Sequence, residues 1–312
     1  MKVLVTGGAG FIGSHVCDVF VGKGHEVIAL DDLSTGRKAN LDARVRLVVA
    51  DIRDPEAALL VERERPDVIC HLAAQMDVRR SVDDPRLDAD INLVGLLNLL
   101  EAGRKAGLKK LIFSSTGGAI YGEQDVFPAP ESHPTRPVSP YGVSKAAGEL
   151  YLNYFRVQYG LPYVALRYAN VYGPRQNPHG EAGVVAIFCQ RIIGGKICHI
   201  NGDGKQTRDF VFCTDVARAN YLAFERDFVG AVNIGTGVET DINALYRLLA
   251  DAAGSNSQAE HGPTKPGEQL RSCIDASQAS RVLGWSPTVT LEEGVAKTVE
   301  YFREQARLSR AS

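Results

Sequence analysis

Long apolar runs are missing from this chain. The stretch Val27-Ile28-Ala29-Leu30 is stopped by Asp31, far short of the roughly 20 apolar residues that cross a bilayer, and no membrane partner is expected. No secretory leader is expected either, since only three apolar residues follow Lys2 before the glycines begin. Nor is there an excess of one charge: 35 basic residues against 37 acidic ones leave a net charge of -2, which gives no electrostatic case for a nucleic-acid partner. The six cysteines (Cys17, Cys70, Cys189, Cys198, Cys213, Cys273) are scattered without a C-x-x-C pair. That excludes a zinc knuckle and a thioredoxin-type motif, so no metal site is expected. The thiols read as small buried hydrophobes of a reducing, cytoplasmic compartment. Internal repeats and low-complexity segments are absent too.

What is present is an alternation of short β-rich runs with stretches of helical length. Val3-Leu4-Val5, Val27–Leu30, Leu47-Val48-Val49, Val68-Ile69-Cys70, Leu111-Ile112-Phe113 and Val164-Ala165-Leu166 read as buried parallel strands. The pattern predicts an α/β fold, a doubly wound parallel sheet of the Rossmann type. Two helices are expected at about 91–105, apolar nearly all round, and at about 141–159; such faces suit a subunit contact, and a homodimer is expected. After Asn170, Gly and Pro accumulate through Gly173–Gly180, which reads as an exposed loop. Strand-like runs return at Phe210-Val211-Phe212 and Ala231–Ile234. The expected division is a dinucleotide-binding domain over 1–168, to which about 207–236 returns, and a smaller interleaved α/β substrate domain over 169–312. A last amphipathic helix is expected at Leu291–Ala306, with Val295, Val299 and Phe302 on one face.

Chemistry concentrates at two places. Gly7, Gly8, Gly10 and Gly13 lie between a strand and a helix, the context in which such glycines let a backbone approach a pyrophosphate at a helix N-terminus. Asp31 ends the second strand at the spacing of a carboxylate that binds the adenosine ribose. A carboxylate there repels a 2′-phosphate, so NAD is favoured over NADP, although Arg37 and Lys38 are close by. Asp51-Ile52, after the third strand, suits an adenine-edge contact, with helix capping as the other use for Asp51. Further on, Tyr141 and Lys145 are four apart and share a helix face, while Thr116 ends the fifth strand. An ammonium beside a phenol lowers its pKa, and a shift from about 10 toward 7 corresponds to about 4 kcal/mol.

Longer motifs extend this pattern: Val5-Thr6-Gly7-Gly8-Ala9-Gly10-Phe11-Ile12-Gly13, His71-Leu72-Ala73-Ala74, Ser114–Gly122, Tyr141-x-x-x-Lys145, Arg167–Arg175 and Arg208-Asp209-Phe210-Val211. Over essentially its whole length the chain resembles the extended short-chain dehydrogenases/reductases, in particular those that epimerise C4 of nucleotide sugars. The resemblance implies an isomerase with tightly held NAD, regenerated at each turnover. Its substrate would be a UDP-hexose, UDP-glucose/UDP-galactose and also UDP-GlcNAc/UDP-GalNAc, passing through a 4-keto intermediate. Tyr141 would be the base, aided by Lys145 and Thr116.

By the same resemblance, Gly7, Gly10, Phe11, Ile12, Gly13, Asp31 and Asp32 would hold the cofactor, with Asp51, Ile52, Leu72, Ala73, Ala74 and Asn92. Ser114, Tyr141, Lys145 and Tyr168 would complete that set. Thr116, Tyr141, Asn170, Val184, Val185 and Arg208 would hold the UDP-sugar. Pro266-Gly267-Glu268-x-x-Arg271 matches a ribose- and phosphate-binding loop, with Glu268 on the ribose and Arg271 near the pyrophosphate. A salt bridge is the competing use for Arg208 and for Arg271. Ser272 falls at a gate whose small side chain leaves room for a 2-acetamido group; a plain surface position is the other reading. Gly117 and Gly118 place no carboxylate beside Thr116, against a nucleotide-sugar dehydratase or decarboxylase. A UDP-glucuronate 4-epimerase and a silent NAD-binding scaffold are the remaining alternatives.

Overall fold

Thirteen strands carry the fold in a computed structural model that describes residues 1–178, 183–256, 258–264 and 269–311. They are β1 (Lys2–Thr6), β2 (Glu26–Asp31), β3 (Arg46–Val49), β4 (Val68–His71), β5 (Lys110–Thr116), β6 (Tyr163–Tyr168), β7 (Asn170–Tyr172), β8 (His199–Asn201), β9 (Thr207–Phe212), β10 (Gly230–Ile234), β11 (Glu239–Asp241), β12 (Glu260–Gly262) and β13 (Arg271–Ser272). Seven form one parallel sheet in the order β10-β6-β5-β4-β1-β2-β3. The order reverses between β1 and β4, which opens a crevice at the carboxyl ends of those strands, the place where doubly wound sheets bind ligands.

Both faces of the sheet are covered at its centre, which is why the inner runs of β1, β2, β4 and β5 are apolar. Val3, Val5, Cys70 and Leu166 pack with Val16, Phe20, Val216 and Trp285 on one face. Leu4, Ile28, Ile69 and Leu111 pack with Leu60, Leu99, Leu152 and Phe155 on the other. All six thiols are buried inside these and neighbouring layers.

The second part of the chain builds a smaller sheet, β11-β9-β13 with β7 also on β9, and a pair β8/β12. The last helix, Leu291–Ala311, buries Val295, Val299 and Phe302 against this region. The excursion back to the large sheet is narrower than the sequence suggests. It runs through the helix Cys213–Glu225 and β10, whereas β9 stays with the small sheet because its partners are β7, β11 and β13.

The helix carrying Tyr141 is set by local chemistry. Ser139 Oγ accepts from the Gly142 amide at 3.2 Å, Pro140 occupies the first turn, and Gly160 closes the Pro140–Tyr159 helix in the left-handed region. The other expected helix runs over Gly95–Ala106 and is preceded by a π-helical turn, Asp90–Val94. Among the described residues no helix is long and apolar enough to cross a membrane.

Candidate active site

A cleft of about 1220 Å³ runs from the glycine-rich turn, past the carboxyl ends of β4, β5 and β6, to the small sheet. Gly7, Gly10, Phe11, Ile12, Gly13, Asp31, Asp32, Asp51, Ile52, Leu72, Ala73, Ala74, Ser114, Thr116, Tyr141, Lys145, Tyr168, Asn170, Arg208 and Ser272 all line it.

The glycine-rich end has the shape of a dinucleotide cradle. Gly7 sits at φ 66°, and a Cβ there would lie 2.7 Å from the Ala73 amide nitrogen. At Gly13 a Cβ would lie 2.0 Å from the Gly7 carbonyl oxygen, so any side chain forces the turn off the helix. The helix Phe11–Gly22 starts at Gly10, which brings no side-chain cap to its first amides, and such an end suits a phosphate. Asp31 is 6% exposed; its two oxygens accept from the Ala9 and Leu33 amides at 2.9 Å each. Burial pushes its carboxyl up and those amides pull it down. Asp51 does not cap the helix Pro55–Glu64, whose N-cap is Asp54. Instead it grips Arg53 at 3.0 and 2.6 Å, and Arg53 reaches on to Asp90 at 2.7 Å. These residues fit NAD: a backbone cradle for the pyrophosphate and a buried acceptor at the ribose position.

Tyr141 and Lys145 face the same cleft. Lys145 Nζ donates to the Ser114 carbonyl at 2.8 Å and lies 5.8 Å from the Tyr141 ring centre. Burial pulls its pKa down to about 8, opposed by the carboxylates of Asp88 and Glu149. Burial pushes the Tyr141 phenol up, and Asp88 adds to the rise. Burial therefore sets the direction for the phenol in the chain alone, above its ordinary value, and the lowering toward 7 is left to Lys145 acting together with the nicotinamide ring. Thr116 Oγ1 accepts from the Ala119 amide at 3.2 Å, capping the short helix Gly117–Ile120. Ser272 is 4% exposed and lines the cleft, a wall residue rather than a surface one. A Cβ on Gly118 would stand 3.8 Å from its Oγ.

Four expected contacts fall elsewhere. Asn92 is set back from the cleft: its amide donates to the Gln75 carbonyl and accepts from the Gln75 amide, both at 2.9 Å. Val185 is buried in the small domain's core with Val184 packed beside it; neither lines the cleft, whose wall here is Gly183, the N-cap of the Val184–Ile193 helix. Arg271 turns to Glu239, at 2.9 and 2.5 Å, and stacks 3.8 Å from the Phe127 ring centre. Its guanidinium is therefore engaged by an acid rather than lining the cleft. Glu268 lies outside the described residues. Arg208 keeps its place in the cleft wall, where Nη1 donates to the Thr207 carbonyl at 2.7 Å. Its neighbour Asp209 is taken by Thr236 and Gly237 instead.

Sequence reasoning gave no contact role to some other lining residues. Asn40 and Arg37 tie their loop to the Ala9 carbonyl at 2.9 Å each, and Gln75 follows the His71–Ala74 motif directly. Proximity to a recognised motif is the signal that would have found them.

A parallel sheet of this order, with a glycine cradle at its switch point and a Tyr/Lys pair facing it, defines a dinucleotide-dependent enzyme of the short-chain dehydrogenase/reductase type. Residues 3–235 match the model of the NAD dependent epimerase/dehydratase family, and the chain belongs to that family. UDP-glucose 4-epimerase of Mycolicibacterium smegmatis is 47% identical over 98% of this chain and 100% of its own length. Among solved structures, Thermotoga maritima UDP-glucose 4-epimerase with UDP-glucose has a TM-score of 0.96 at 49% identity, covering 98% of this chain and 100% of that one. Thermus thermophilus UDP-glucose 4-epimerase in complex with NAD has a TM-score of 0.93 at 46% identity, covering 97% and 99%.

Proposed function

We infer that the chain is an NAD-dependent 4-epimerase of UDP-hexoses, interconverting UDP-glucose and UDP-galactose through a 4-keto sugar. The observation that carries this is the single cleft shared by the glycine cradle, Asp31, Thr116 and the Tyr141/Lys145 pair. When bound, NAD supplies a reversible hydride acceptor and the positive charge of its nicotinamide ring. Tyr141 takes the proton of the sugar 4-hydroxyl and later returns it. Lys145, pinned by the Ser114 carbonyl, favours the phenolate, and Thr116 orients the hydroxyl between them. Arg208 suits the diphosphate, and Asn170 borders the same end. The dinucleotide part is assigned to 1–168 with the return over the Cys213–Glu225 helix and β10, and the nucleotide-sugar part to the rest of 169–312.

Purified protein given UDP-galactose without added cofactor should form UDP-glucose. Formation of a 4-keto-6-deoxy sugar instead would replace the epimerase reading by a dehydratase. The same assay with UDP-GalNAc should also give product, because the neighbouring Ser272 and Gly118 keep this part of the cleft wall small. UDP-glucuronate should turn over poorly if the hexose reading holds.

The working unit is proposed to be a homodimer in the cytoplasm. On the Pro140–Tyr159 helix Val143, Leu150, Tyr154 and Val157 are 52%, 72%, 49% and 78% exposed, and their spacing of seven, four and three is that of a helix-pairing seam. Val94 on the neighbouring helical segment is 52% exposed. Leu150→Glu should convert a dimer to a monomer in sedimentation; a monomeric unmodified protein would remove the proposal.

A further inference from the structure

We propose that Asp88 is a positioning residue for the proton-transfer pair, one buried carboxylate that ties the turn between Tyr141 and Lys145 to the cleft wall at Gln75. This rests on Tyr141 being the base, as inferred above. Asp88 lies on the short helix Pro85–Ala89, is 0% exposed, and is not part of the cleft lining. Its Oδ2 accepts from Ser144 Oγ at 2.6 Å. Its Oδ1 accepts from Gln75 Nε2 and from Asn92 Nδ2, each at 3.1 Å. All three neighbours donate hydrogens to it, which suits an acceptor-only group.

Ser144 stands between Tyr141 and Lys145 on the Pro140–Tyr159 helix. Gln75 lines the cleft and is itself locked, giving a hydrogen to the Asp77 carbonyl at 2.9 Å and taking one from the Asp77 amide at 2.7 Å. One anion therefore joins three separate pieces of chain around the reacting groups. Breaking a buried network of this kind leaves several donors unmatched at once.

The charged groups that face Tyr141 and Lys145 are few. Glu149, one turn beyond Lys145, is gripped by Arg167 of β6 at 3.0 and 2.6 Å. His71 of β4 lies on the far side of Phe113, where burial holds its pKa near 3 and the ring is neutral. Glu149, though matched by Arg167, still adds to the rise at Lys145, whereas Asp88 is the carboxylate that acts on both members of the pair among the described residues. Its charge raises both the Tyr141 phenol and the Lys145 ammonium. Removing that charge lowers both, so both limbs of a pH profile move the same way.

The test uses the cofactor-loaded protein and Asp88→Asn. Phenolate absorbance, corrected with Tyr141→Phe, is titrated, and kcat/KM on UDP-galactose is followed against pH. The titration midpoint and both limbs should move down by about one pH unit. Curves that overlay those of the unmodified protein overturn the proposal. If Asp88→Asn does not fold, Ser144→Ala keeps the charge and removes the tether: kcat should fall about tenfold with KM held, and an unchanged kcat overturns it. Should the unmodified protein fail to turn over UDP-galactose, the functional reading falls, but the phenolate titration still decides the role of Asp88.

Discussion

Tyr141→Phe should lower kcat on UDP-galactose by about three orders of magnitude, the scale of a positioned acid/base group, while the purified protein keeps its NAD. The substitution removes one oxygen and leaves the ring that borders the cleft, so the cradle at Gly7–Gly13 and the acceptor Asp31 are untouched. The same residue sets the acid limb of the pH profile. Burial pushes the phenol up, which disfavours the ionised base, and activity should fall as pH drops below the pKa reached in the loaded enzyme. The alkaline side belongs to Lys145, whose pKa burial pulls down to about 8. As pH rises through the value for Lys145, the ammonium loses its charge and the phenolate loses its partner. Spectroscopic detection of bound NAD alongside single-turnover rates checks both parts. Turnover in Tyr141→Phe equal to that of the unmodified protein would leave the base elsewhere.

Local pattern carried most of the fold. The runs Val3–Val5, Val27–Leu30 and Val68–Cys70 are apolar because helices cover both faces of their sheet, and this is visible one strand at a time. The glycines of the first turn are legible for the same reason, since their constraint lies within seven residues and against Ala73. Asn92, Val184, Val185 and Arg271 were harder. Their place along the chain says which element they occupy, but not which way a side chain points or which distant group has already engaged it. Arg271 meets Glu239 only because β13 and β11 flank β9 on opposite sides. Asn92 is drawn to the Gln75 backbone by a π-helical turn that no periodicity announces. Asp88 shows the same limit most clearly. In sequence it is one acid among Asp83, Asp84 and Asp90, and only convergence of Ser144, Gln75 and Asn92 on it sets it apart.

Asp31→Ala should act on cofactor affinity and hardly at all on the proton-transfer step. A hydrogen bond from a ribose hydroxyl to a carboxylate is worth about 1.5–3 kcal/mol, so NAD should bind roughly 10- to 100-fold more weakly. A second effect accompanies it. The Ala9 and Leu33 amides, each 2.9 Å from the carboxylate, lose their acceptor, the Ala9 one in a buried place, and cofactor-free stability should also fall by about 1–3 kcal/mol for that buried amide. Affinity loss through a loosened turn and affinity loss through a missing ribose contact are separated by NADP. A carboxylate at this position repels a 2′-phosphate, so its removal should raise the affinity for NADP relative to NAD. A loosened glycine turn weakens both dinucleotides alike and leaves their ratio fixed. Titration of the variant with each cofactor reads that ratio directly, and a ratio unchanged from that of the unmodified protein would take Asp31 off the ribose.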